Sequence, residues 1–108
     1  MKSSVLVVAP HADDEVLGCG ATIYKLVREG HNVYVLVMTN ASKSDPTIFL
    51  PEGIARVRKE ALEAHRLLGV NETFFFDFPA PALDQYPSYI MSREVSKCIS
   101  ENQIDTVF

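Results

Sequence analysis

The stretch Ser3–Glu29, SSVLVVAPHADDEVLGCGATIYKLVRE, carries a complete strand–turn–helix unit. Its first seven residues, SSVLVVA, form a short β-branched run with no room for a helical turn pattern. Such a run predicts a strand covered on both faces. Pro10–Asp14 is a polar break. From Glu15 to Glu29 the apolar positions Val16, Gly20, Ile23, Tyr24 and Val27 recur at helical spacing, with Lys25, Arg28 and Glu29 elsewhere on the surface. Gly30 is placed to stop that helix.

The same alternation continues outward. Asn32–Thr39 (NVYVLVMT) reads as a second buried strand, and Asn40–Pro51 as a loop containing Pro46 and Pro51. Glu52–Leu68 shows a helical stripe of Ile54, Val57, Ala61, Ala64 and Leu68, ended by Gly69. Thr73–Phe76 is a third strand. Phe78–Pro87 holds three prolines and reads as a loop. Ser88–Asn102 is helical through Met91, Val95, Cys98 and Ile99, and Asp105–Phe108 begins a fourth apolar run. The order β-α-β-α-β-α-β predicts right-handed crossovers and an α/β fold: a three-layer α/β/α sandwich around a Rossmann-like parallel sheet.

Length and composition bound the function. At 108 residues the chain fits one domain, 1–108, and 47% hydrophobic with 22% charged residues argues against disorder. A net charge of −4 excludes a broad basic footprint for nucleic acid. Val5–Ala9 is too short for a membrane span or a signal-peptide core. A soluble, cytoplasmic protein with no nucleic-acid partner and no membrane span is expected. Cys19 and Cys98 form no CxxC motif and fit reduced thiols.

In such sheets ligands bind at the carboxyl ends of the strands. Three segments turn there: Pro10–Glu15, Asn40–Pro51 and Asp77–Pro87. The first, PHADDE, puts an imidazole and three carboxylates into five consecutive positions, 11–15. Acids at a helix start also serve as caps and complement the dipole. Capping leaves the adjacent Asp pair and the His unexplained. His11 and Asp14, three apart on a strand-to-helix turn, can both bind one ion, and nitrogen plus carboxylate oxygen suits catalytic zinc. The remaining Asp can act as base on a metal-bound water.

The run PHADDEVLGCGATI closely resembles the signature of the PIG-L/LmbE-like family of zinc-dependent N-acetylglucosaminyl deacetylases, through His11, Asp13, Asp14, Glu15, Gly18 and Gly20. Arg58–Val70 (RKEALEAHRLLGV) is similar to the family's Arg/Glu-bearing helix, and Phe76–Asp84 (FDFPAPALD) to its loop after strand three. The resemblance implies that His11 and Asp14 bind Zn2+ and that Asp13 is the general base. It implies that an N-acetyl group is hydrolysed from a small-molecule amino-sugar conjugate of N-acetylglucosamine type. Glu15 is expected to support the turn. Arg58, Asp77 and Asp84 are the candidate substrate contacts.

There are departures from the pattern. Ala12 replaces the usual proline between His and Asp, Asn40 stands where a glycine is frequent, and Val57 stands where many members have arginine. The family's third metal ligand is a His just after strand four, where this sequence reaches Phe108. The 108 residues are therefore expected to be the N-terminal portion of a longer protein, cut after strand four, poorly active alone and with a strand edge open to oligomer formation.

Other residues carry two readings each. His31 precedes strand two, roughly 20 Å from His11 at ~3.3 Å per residue, and cannot share its ion. His65 reads as a partly buried, hydrogen-bonded helix residue. Asp77 can approach the site or start an Asx turn. Gly18-Cys19-Gly20 reads as close helix–sheet packing with Cys19 in the core. A dinucleotide site wants an acid where Thr39-Asn40 stand. Glu60 fits a buried ion pair or a substrate contact. Phe74, Phe75, Phe76 and Phe78 fit core and rim, or a sugar platform.

A rival function is a receiver-like phosphoacceptor signalling module, with Asp13, Asp14 and Asp77 around magnesium. It leaves His11 without a role. A non-catalytic fragment of the deacetylase fold is the third reading.

Overall fold

The computed structural model describes residues 2–11, 14–40, 51–79 and 87–108. The elements run β1 (Ser4–Ala9), α1 (Asp14–Arg28), β2 (Asn32–Asn40), α2 (Pro51–Leu68), β3 (Glu72–Pro79), α3 (Ser88–Glu101) and β4 (Thr106–Val107). The four strands form one parallel sheet in the order β3-β2-β1-β4. β1 is therefore central, which is why Val5, Leu6 and Val7 are all buried. The α/β sandwich with a Rossmann-like sheet is the architecture found.

The sheet's two faces have separate cores. Val7, Val33, Val35 and Val37 pack with Ile23, Cys19, Leu26 and Val27 of α1 and with Leu68 of α2. Leu6 and Leu36, with Tyr34, Phe74 and Phe76, pack against Val95, Cys98 and Ile99 of α3. Each fully buried Val or Leu contributes about 1.5–3 kcal/mol. Burial pushes the Cys98 thiol up from its ordinary pKa, with the Asn102 side chain pulling the other way. Among the described residues no helix is long and apolar enough to cross a membrane.

All three helices end in the same hydrogen-bond pattern. At α1, Gly30 N–H donates to Val27 O and His31 N–H to Leu26 O. At α2, Gly69 donates to Arg66 O and Val70 to His65 O, and at α3, Gln103 donates to Ser100 O and Ile104 to Ile99 O. This Schellman arrangement needs one left-handed residue. Gly30 and Gly69 hold it at φ +90° and +88°, as their positions in the sequence suggest, whereas Gln103 adopts φ 53° without the help of glycine.

Four details differ from the sequence reading. Tyr24 points outward, 49% exposed, and its hydroxyl accepts from Arg28 one turn on, while Cys19 and Leu26 complete the buried face. On α2, Val57 is exposed and the inward face runs through Arg58, Ala61, His65 and Leu68, because polar partners await Arg58 and His65 beneath the helix. A Cβ on Gly18 would meet nothing within 4 Å and one on Gly20 only Val16 Cγ1 at 3.8 Å, so neither glycine is demanded by close packing among the described residues. Finally, β3 continues to Pro79. Val37 pairs with Phe75 and Thr39 with Phe78, so β3 carries one extra residue opposite Met38. β3 is an edge strand, where a proline leaves no interior ladder donor missing.

Candidate metal centre

β1 runs out at the centre of the sheet, where the crossovers change direction. α1 and α2 lead from β1 outward to β3, and α3 returns the chain to the opposite side of β1. The crevice beyond the carboxyl ends at such a reversal is where ligands bind in open α/β sheets. The turn after β1 is tied down from β2: Thr39 N–H and Oγ1–H both donate to Pro10 O, at 3.2 and 2.6 Å. Thr39 is buried and its role is structural, a residue the sequence reading did not single out. Its one signal is a polar side chain directly after the apolar run Val33–Met38.

Past Pro10, the two candidate ligands converge. Asp14 Oδ2 accepts from His11 N–H at 3.0 Å and lies 3.2 Å from His11 Nδ1. Asp14 N–H in turn donates to His11 O at 3.3 Å, closing the turn. Both side chains remain open to solvent, 63% and 44% exposed. The spacing of three residues thus does what ligand geometry requires: one imidazole nitrogen and one carboxylate oxygen share one small volume. Such a mixed N/O donor set fits zinc. Catalytic zinc takes three protein ligands. Among the described residues no third His, Cys, Asp or Glu joins these two. Asp13, the expected base, and Asp84 lie outside the described residues.

Glu15 turns the other way. Its side chain is fully buried, and Oε1 lies 2.5 Å from His65 Nε2 on α2. His65 Nδ1 lies 2.8 Å from Thr73 Oγ1 on β3. An ionised carboxylate only accepts, so with Glu15 charged the proton sits on Nε2. His65 is 2% exposed, buried more deeply than its place in the helical pattern suggested. Glu15 Oε2 has no partner among the described residues. The other candidates fall elsewhere. His31 Nδ1 accepts from Ser3 N–H at the opposite end of the sheet. Glu60 is exposed, and Phe74, Phe75 and Phe76 belong to the two cores.

Arg58 and Asp77 meet each other. Arg58 Nη2 donates to Phe76 O at 2.7 Å and to Asp77 Oδ1 at 3.0 Å, and its guanidinium carbon sits 4.8 Å from the centre of the Phe75 ring. The cation thereby holds the extra residue of β3 in place. β2 stands between β3 and β1, so Asp77 is two strand spacings, about 10 Å, from the β1 turn. That order removes the phosphoacceptor reading, because a receiver-type sheet places β3 directly beside β1.

A Rossmann-like parallel sheet with a His/Asp pair converging at its central crevice is an α/β scaffold with a candidate metal site. The sequence matches the PIG-L family, described as GlcNAc-PI de-N-acetylase, over residues 6–108, and the chain belongs to that family. An uncharacterized deacetylase, YaiS, of Escherichia coli (strain K12) is 29% identical over 77 residues, covering 71% of this chain and 38% of that protein. The N,N'-diacetylchitobiose deacetylase of Pyrococcus horikoshii superposes with a TM-score of 0.84 at 33% identity, covering 98% of this chain and 40% of its own. The 4-carboxy-2-hydroxymuconate hydratase GalB of Pseudomonas putida KT2440 superposes with a TM-score of 0.80 at 20% identity, covering 97% of this chain and 45% of its own, a likeness of fold alone. The chain spans less than half the length of each of these relatives.

Proposed function

We propose that the protein is a zinc-dependent hydrolase that removes an N-acetyl group from an N-acetylglucosamine-type substrate. The observation that carries this reading is the approach of His11 Nδ1 and Asp14 Oδ2 to 3.2 Å at the central crevice of the sheet. The Pyrococcus relative, a deacetylase of diacetylchitobiose, supports an acetamido sugar as the substrate class. When bound, zinc supplies Lewis acidity toward the acetamide carbonyl and lowers the pKa of a coordinated water. His11 and Asp14 hold the ion. Asp13, one residue before Asp14, takes the proton from the attacking water and later passes it to the leaving amine. The amino end of α1 turns its positive dipole end to the crevice, where it stabilises developing negative charge.

Arg58 and Asp77 are paired with each other, so their part in substrate binding is to shape the rim. The partner is thus a small-molecule amino-sugar conjugate. The test is zinc affinity, measured by chelator competition in the intact protein. His11→Ala and Asp14→Ala should each weaken it sharply, and unchanged affinity in both would overturn the assignment.

A further inference from the structure

We infer that His65 is a positioning residue for the metal turn, acting through Glu15. The inference rests on the metal reading of His11 and Asp14 proposed above. Asp14 and Glu15 are neighbours in the first turn of α1, and consecutive helical side chains leave the axis about 100° apart. One therefore faces the crevice while the other is driven into the contact between α1, α2 and β3. There Glu15 Oε1 meets His65 Nε2 at 2.5 Å, and His65 Nδ1 meets Thr73 Oγ1 at 2.8 Å. The chain of contacts joins three elements, and both Glu15 and His65 are 2% exposed.

Its leverage is geometric. Side-chain tips lie about 5–6 Å from a helix axis. A rotation of α1 by ~10° about its axis displaces the Asp14 carboxylate by about 1 Å. Metal–ligand distances tolerate about 0.2 Å. Among the described residues His65 is the one side chain bonded to the Glu15 carboxylate, since Oε2 has no partner there. Thr39 fixes the β1 side of the same turn through Pro10, so the ligand pair is braced from β2 on one side and from α2 on the other.

The experiment compares wild type, His65→Leu, His65→Gln, the pair Glu15→Leu/His65→Leu, and His11→Ala in the intact protein. Zinc affinity is read by chelator competition, and thermal midpoint is read separately. His65→Leu should weaken zinc binding about 10–100-fold, the range for groups that orient metal ligands. His65→Gln keeps an N–H for Glu15 and should restore most of that loss. The leucine pair removes the orphaned carboxylate and should regain thermal stability while zinc stays at least tenfold weak. Zinc affinity that recovers together with the midpoint in the leucine pair reduces His65 to a packing role and overturns the inference. So does a His65→Leu affinity within twofold of wild type. If the pair does not fold, equal zinc affinities for His65→Leu and His65→Gln overturn it, and rescue by glutamine supports it. His11→Ala separates the two levels. If it leaves zinc binding unchanged, the metal reading fails and this inference with it. If it weakens zinc while the His65 variants do not, the inference alone fails.

Discussion

Gly30 and Gly69 form a controlled pair of test positions. Both are the left-handed residue of a Schellman cap, at φ +90° and +88°, so an added methyl group meets the same backbone penalty at each. Left-handed backbone costs a non-glycine residue about 1–2 kcal/mol, and the reduced freedom of the unfolded chain returns up to about 1 kcal/mol. Gly30→Ala should therefore cost about 1 kcal/mol or less, because its Cβ would meet only Lys2 Cε, the flexible end of a long side chain, at 3.8 Å. At Gly69 the Cβ would lie 2.6 Å from Val27 Cγ1, a short, branched side chain in the α1 core. Forcing that overlap adds an overpacking cost of about 1–3 kcal/mol. Gly69→Ala should thus be less stable than Gly30→Ala by about 2 kcal/mol, or roughly 10 °C in midpoint for a domain of this size. Thermal and urea unfolding of the two variants side by side is the assay. Equal stabilities within about 0.5 kcal/mol, the scatter expected of independent sites, would show that α1 and α2 do not meet through Val27. The placement of the helix that begins at Asp14 would then need revision.

Gln103→Gly should stabilise the protein by about 0.5–1 kcal/mol, since it relieves the one non-glycine left-handed residue among the described residues, at φ 53°, and urea midpoints will report it. Asp13→Asn should keep zinc and lose on the order of 10²–10⁴-fold in turnover. A zinc-loaded variant with near-normal amide hydrolysis would move the base elsewhere. Asp105 accepts from Ser4 N–H at 3.0 Å, and that backbone bond, followed by the Thr106 hydroxyl, holds its carboxyl below the usual range. A depressed folded pKa means that its contribution is present above the unfolded value of about 3.9 and is lost as pH falls through the lower folded value. Asp105→Asn should flatten the acid limb of the stability–pH curve, and an unchanged limb would show that the β1–β4 junction is held by backbone bonds alone.

The sequence by itself determined the elements and the meeting of His11 with Asp14. Uninterrupted, valine-rich apolar runs at Val5–Ala9 and Val33–Val37 announce strands buried on both faces, and Gly30 and Gly69 mark helix ends through a local backbone requirement. His11 and Asp14 were legible for the same reason: three residues apart on one turn, their meeting depends on nothing distant. Tertiary structure alone decided the rest. Which face of α2 turns inward could not be read from its apolar residues, because Arg58 and His65 outcompete Val57 for the interior once Phe76 O, Asp77 and Glu15 are there to receive them. Glu15 and His65 are 50 residues apart in sequence and in direct contact in space. The extension of β3 to Pro79 depends on its lying at a sheet edge, and the distance of Asp77 from the β1 turn depends on β2 standing between them. A helix period records which residues share a face, but a buried polar residue is settled by the partner it finds across the core, and that partner exists only after the strands have taken their order.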